Sequence, residues 1–207
     1  MIKLNFNSKF IFLGTIIIIY FLICVRSYAS DLQETKGAIA IGSHDALVKI
    51  KVFSSFTCPH CANFHINVVS KIKNEYIESG KVQLIFIDFP LDQAAFNASK
   101  LLHCLDQNSQ MKFMDMIYNK QSEWTSGSHI NEINSNLKKI VKNLGISSEK
   151  FDKCLVDENI SDKILNGRIN ANQKYSINST PTIIINEIKF EGSVSFKDIK
   201  KKIEKLI

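Results

Sequence analysis

Residues 49–61 read Lys49-Ile50-Lys51-Val52-Phe53-Ser54-Ser55-Phe56, then Thr57-Cys58-Pro59-His60-Cys61. The first eight alternate at their start and are rich in β-branched and aromatic residues, which spells a strand. Thr57 is a helix-capping residue type. Pro59 falls in the first helical turn, where a missing N–H costs nothing. Cys58 is thereby placed at the positive end of a helix macrodipole, among unpaired backbone N–H groups. That position favours the thiolate, the reactive form of cysteine. His60, when protonated, adds a second positive charge beside the sulfur; its bland alternative is an exposed histidine without a role. Cys61 lies one helical turn on, within reach of a short disulfide to Cys58. Residue chemistry alone makes the stretch a redox dithiol.

Three other readings are weaker. A c-type haem site needs His directly after the second Cys, and position 62 is Ala. A zinc site could use Cys58, Cys61 and His65, but no second Cys-x-x-Cys or His pair follows at ligand spacing, so no metal is expected. A purely structural disulfide is disfavoured because so tight a ring at a helix start is reactive. No metal or organic cofactor is expected: the Cys58–Cys61 pair is itself the redox group.

Ahead of this stretch, Met1 to Lys9 carries Lys3 and Lys9 and no acid, and Phe10 to Val25 is a run of 16 apolar residues. Ser27 and Ala29 occupy the −3 and −1 positions of a cut after Ala29. Residues 1–29 are thus expected to be a secretory signal peptide, with an uncleaved anchor as the alternative. Removing them leaves 178 residues, enough for one domain with a sizeable core. Taking the leader's three positive charges from the formal +6 leaves +3. The remaining lysines are scattered, except in Lys197–Lys205, which reads as the solvated face of an amphipathic helix. Nucleic-acid binding is not expected. Beyond the leader stand Cys58, Cys61, Cys104 and Cys154. Four cysteines allow three pairings, and an oxidising compartment favours pairs. The local pair leaves Cys104 with Cys154, as a structural bridge. The alternatives are two reduced buried thiols, or a pair that shifts the redox behaviour of Cys58–Cys61.

After the dithiol, Phe64, Val68, Val69 and Ile72 recur at helical spacing, and the helix is expected to reach Ser79 before Gly80. Lys81–Pro90 is a buried strand. With a short first strand at Ala38–Ile41, the order is β-β-α-β. Residues 92–176 then form an all-helical block: Asp92–Asp106, Met111–Lys120, Ile130–Leu144, a helix capped by Ser147-Ser148-Glu149, and Ile160–Tyr175. Glu123–Ser128, with the only Trp, reads as a loop. Strands return at Thr182–Ile185 and Ile188–Phe190 around an Asn186-Glu187 turn, and Phe196–Ile207 closes as an amphipathic helix. A β-β-α piece cannot stand alone and must join the earlier sheet. The fold class is therefore α/β, a thioredoxin-like domain with a central mixed sheet, split into residues 30–91 and 177–207 by the helical insertion.

The motif Phe56-Thr57-Cys58-Pro59-His60-Cys61-Ala62-Asn63-Phe64 resembles the active site of the DsbA family of exported thiol-disulfide oxidoreductases. Phe86-Ile87-Asp88-Phe89-Pro90-Leu91-Asp92, Ala94-Ala95, Cys104, Phe113, Phe151-Asp152-Lys153-Cys154-Leu155 and Thr180-Pro181-Thr182 resemble its thioredoxin-4-like branch. The resemblance implies that Cys58 is the partly exposed nucleophile and Cys61 its buried partner, with Pro59 and His60 tuning the thiolate. It further implies a cis Pro181 facing the dithiol. There the Thr180 backbone would pair with an extended substrate. The implied activity is donation of the Cys58–Cys61 disulfide to exported proteins with reduced cysteines. Reoxidation would fall to a quinone-linked membrane partner of the DsbB type. The expected setting is the periplasm, with a monomeric protein. Rival functions are a reductase or isomerase, and a non-catalytic, membrane-tethered surface binding protein.

Overall fold

The computed structural model describes residues 38–207 and, ahead of them, Ile18 alone. The expected leader, its cleavage site, Cys24 and the polar arm before Ala38 lie outside those residues. In chain order come β1 (Ile39–Ile41), β2 (Val48–Ser54) and a continuous helix α1 over residues 59–77. Then follow β3 (Val82–Asp88), α2 (Gln93–His103), α3 (Gln107–Asn119), α4 (Gln121–Trp124) and α5 (Ile130–Val141), the last extended by a 3₁₀ turn at Lys142–Leu144. The chain continues through α6 (Ser148–Leu155), α7 (Glu158–Tyr175), β4 (Thr182–Ile185), β5 (Ile188–Lys189) and α8 (Phe196–Ile203).

The five strands form one mixed sheet in the order β1-β3-β2-β4-β5. β2 and β3 are parallel, joined by α1 as the crossover; the other pairs are antiparallel. The three central strands are buried on both faces, which is why β3 and β4 read as largely apolar runs; β2 alternates with Lys49 and Lys51. Ile50, Val52, Leu84, Phe86, Ile183 and Ile185 point into the larger core, with α1, α8 and the helical block. Phe53, Ile85, Ile87 and Ile184 point the other way, beneath Ala171 and Tyr175 of α7. The two halves of the chain thus complete one sheet, as the pattern required.

Several boundaries differ from expectation for identifiable reasons. The first helix ends at Ile77 rather than Ser79, and Gly80 takes a left-handed φ of 72° in the turn that follows. Within α1, wider π-helical turns occupy His65–Val69 and Lys73–Ile77; such insertions have no residue signature and often mark functional sites. Asp92 and Asp106 act as side-chain caps of α2 and α3, so the helices start at Gln93 and Gln107. Trp124 is in no loop: it closes α4, fully buried, with Nε1 donating to the Ile117 carbonyl at 2.9 Å. Lys51, in the alternating first half of β2, is buried on the α7 face, with Nζ 2.7 Å from Glu187 and 3.1 Å from the Tyr175 hydroxyl. Burial raises the Glu187 carboxyl, but hydrogen bonds from Lys51, Tyr175 and Lys174 outweigh it and bring the pKa down to about 2.

Candidate active site

The dithiol sits where β2 gives way to α1. Cys58, not Thr57, is the N-cap: its φ of −78° and ψ of 118° are extended, and its carbonyl accepts from Cys61 N and Ala62 N, both at 3.1 Å. Pro59 opens the helix, so no backbone donor is lost there. Thr57 does not cap because its hydroxyl is engaged elsewhere, donating to Asp92 Oδ2 at 2.7 Å. The other Asp92 oxygen accepts from Ala95 N at 2.8 Å. One carboxylate therefore caps α2 and holds the dithiol loop. Ser55 adds a second tie, its hydroxyl lying 3.2 Å from Thr57 Oγ1 and accepting from Leu91 N at 3.3 Å.

Cys58 and Cys61 are both free thiols in this structure. The nucleophile read from sequence as partly exposed is in fact buried, at 7 % exposure against 1 % for Cys61. Cys58 Sγ donates to the Thr180 carbonyl at 3.3 Å. The Thr180–Pro181 peptide is cis, and Pro181 is half-buried beside the dithiol loop. The Thr180 hydroxyl is buried, faces the Cys61 sulfur and has no other partner among the described residues. Burial pushes the Cys61 thiol up to about 12, so this sulfur holds its proton at neutral pH. Pro59 and His60 are exposed on the rim of the site.

The helical block closes the site from the other side. Phe56, just before the dithiol, packs edge-on to Phe113 at 5.9 Å and tilted on Tyr118 at 5.1 Å. Gln121 Nε2 donates to two backbone carbonyls of the loop, Phe56 O at 2.7 Å and Cys58 O at 3.0 Å. His65, four residues beyond Cys61, is buried. Its Nε2 lies 2.7 Å from Asp115 Oδ1, its ring 4.8 Å from that of Tyr118, and its Nδ1 has no partner among the described residues. No group of three metal-capable side chains occurs among the described residues.

Cys104, capping the end of α2, is joined to Cys154 of α6 in a disulfide with Cα atoms 6.0 Å apart. It lies within the helical block, joining the end of α2 to α6. Beside it, His103 Nε2 meets Asp88 Oδ2 at 2.7 Å and Ser99 Oγ donates to Asp88 Oδ1 at 2.6 Å. Sequence reasoning missed Asp92, Gln121 and the partners of His65 and His103. Only Asp92 carried a signal, its position as a capping residue type just ahead of an apolar-periodic segment.

Comparison with known proteins places this geometry. A thioredoxin family model, of the thioredoxin-4 branch, matches residues 34–205. A Bacillus anthracis protein named "Probable disulfide bond formation protein D" is 32% identical, with the match covering 80% of this chain and 76% of that one. The crystal structure of Wolbachia pipientis alpha-DsbA1 is 31% identical, covers 82% of this chain and 90% of its own, and superposes with a TM-score of 0.73. The chain belongs to the DsbA family. Oxidised BdbD from Bacillus subtilis, 26% identical with a TM-score of 0.70, covers 82% of this chain and 92% of its own. This DsbA-family chain is a thiol:disulfide oxidoreductase, and the thioredoxin-like fold with its helical insertion is the family's fold.

Proposed function

We propose that this oxidoreductase is exported and donates the Cys58–Cys61 disulfide to newly translocated proteins. The observation that carries the reading is the unequal placing of the two sulfurs. Cys58 caps α1 beside the Thr180 carbonyl, while Cys61 lies deeper with its thiol pushed up to about 12. In the oxidised enzyme a substrate thiolate attacks Cys58 Sγ. The substrate–Cys58 bond forms, the Cys58–Cys61 bond breaks, and Cys61 leaves and takes up a proton. A buried, protonated Cys61 thiol is a poor nucleophile, so return attack by Cys61 on the mixed disulfide is disfavoured. The substrate's second thiolate then attacks its own mixed-disulfide sulfur and releases Cys58. Two electrons have passed to the enzyme and the substrate holds a disulfide.

The Thr180 carbonyl and the cis Pro181 form the dock on which an extended substrate segment lies, by strand addition. The sequence of residues 1–29 supports export to the periplasm, by cleavage after Ala29 or with retention as an inner-membrane anchor. The reduced enzyme would return its electrons to a quinone-linked membrane partner of the DsbB type, and it would act as a monomer. No metal or organic cofactor is invoked, because the disulfide carries both electrons.

The test is to mix the oxidised protein with a reduced two-cysteine peptide and count disulfides formed. One per enzyme is expected without added oxidant, and none with Cys58→Ser. Repair of scrambled disulfides without net oxidation of the peptide would replace this reading with an isomerase.

A further inference from the structure

Helix α4 has four residues, yet its first side chain reaches the dithiol loop and its last is the fully buried Trp124. Trp124 is pinned through Nε1 to the Ile117 carbonyl, and the Thr125 hydroxyl and N–H both return to the Gln121 carbonyl. Gln121 is thus held rigidly, partly buried, with its amide aimed at the Phe56 and Cys58 carbonyls at 2.7 and 3.0 Å. Both neighbours are pure acceptors, so only the NH₂ end of the amide can face them. We propose that Gln121 is a positioning residue for the redox step, through which the helical block fixes the Cys58 backbone and favours the dithiol over the disulfide.

The physical reason is local charge. Without Gln121 the Phe56 carbonyl would lose this donor and the Cys58 carbonyl would keep only the two helix N–H groups, leaving more partial negative charge in the loop that carries the Cys58 sulfur, which disfavours a thiolate there. The Gln121 donors offset both ends and hold the N-cap carbonyl that Cys61 N and Ala62 N also use. The inference rests on Cys58 being the nucleophile. The balanced equilibrium is disulfide enzyme plus two glutathione thiols giving dithiol enzyme plus one glutathione disulfide; two electrons and two protons go to Cys58 and Cys61.

The test takes the full chain with Gln121→Met, Gln121→Glu and Gln121→Lys. It reads the glutathione equilibrium constant, the pH profile of iodoacetamide labelling, the labelled residue by mass spectrometry, and thermal unfolding. Gln121→Met, which loses the donors, is expected to shift equilibrium toward the disulfide by about threefold. Gln121→Glu, which adds negative charge, should shift it the same way by about tenfold and move the labelling midpoint to higher pH. Gln121→Lys keeps donors and adds positive charge, so it should move both readouts the opposite way from Glu. Unchanged readouts in folded Glu and Lys variants, or shifts in one common direction, overturn the proposal and leave Gln121 a structural residue. Wild-type labelling at Cys61 instead of Cys58 overturns the nucleophile reading, and this inference with it.

Discussion

Two side chains near the sheet end, Cys61 and Asp88, give this molecule measurable signatures. The Cys61 thiol, raised to about 12 by burial, is protonated and shielded. Brief alkylation of the reduced protein at pH 7, read by peptide mapping, should therefore label Cys58 and spare Cys61 until the chain is unfolded. Cys61→Ser should retain substrates as stable mixed disulfides on Cys58, visible on a non-reducing gel. Asp88 is the second case. Burial raises its carboxyl, but the His103 charge and hydrogen bond, with Ser99, outweigh burial and hold it below the usual range. A depressed folded-state value stabilises the protein fully above the unfolded Asp value, near about pH 4. The contribution disappears as pH falls through the folded-state value. Asp88→Ala should cost about 3 kcal/mol at pH 7, and the gap to wild type should narrow in denaturation curves taken on acidification. The Asp88 and His65 pairings were not legible from sequence: the His103 and Asp115 partners lie 15 and 50 residues away, and no local spacing marks them.

Between elements, the joints decide how the dithiol is held. Asp92 caps α2 with one oxygen and takes the Thr57 hydroxyl with the other. Asp92→Ala should cost about 1 kcal/mol for the cap; Asp92→Asn should recover most of it, as read by urea denaturation. The Cys104–Cys154 bridge joins α2 to α6 across a separation of 50 residues. Its removal as Cys104→Ala/Cys154→Ala should cost on the order of 4 kcal/mol in the chain-entropy view, measured with the dithiol pair kept reduced in both proteins. At this scale the strands and most helices were legible. β3 and β4 are covered on both faces and read as largely apolar runs, whereas β2, equally covered, alternates with Lys49 and Lys51. The Asn186-Glu187 turn was also legible, and both residues take positive φ without a glycine. The start of α1 was misread by one residue, because what Thr57 does is set by Asp92 in another loop. The π-helical turns of α1 left no pattern at all. Trp124 was read as a loop residue because α4 is too short to show periodicity.

Over the whole molecule, one core runs from the sheet face through α1 into the helical block, so the insertion is part of the dithiol's support. The site itself was legible in the motif, Cys58-Pro59-His60-Cys61 with a late Thr180-Pro181, because its spacing is local to each half. What joins the halves is not local: the Cys58 thiol reaching the Thr180 carbonyl spans 122 residues. The central claim is that this arrangement makes the pair a disulfide donor. The most direct measurement is the reduction potential of Cys58–Cys61 in glutathione buffers at pH 7. The expected value lies well above that of thioredoxin, about −270 mV, toward the DsbA value of about −120 mV. A potential at or below the thioredoxin value contradicts the claim and makes the pair a reductant that depends on a supply of electrons.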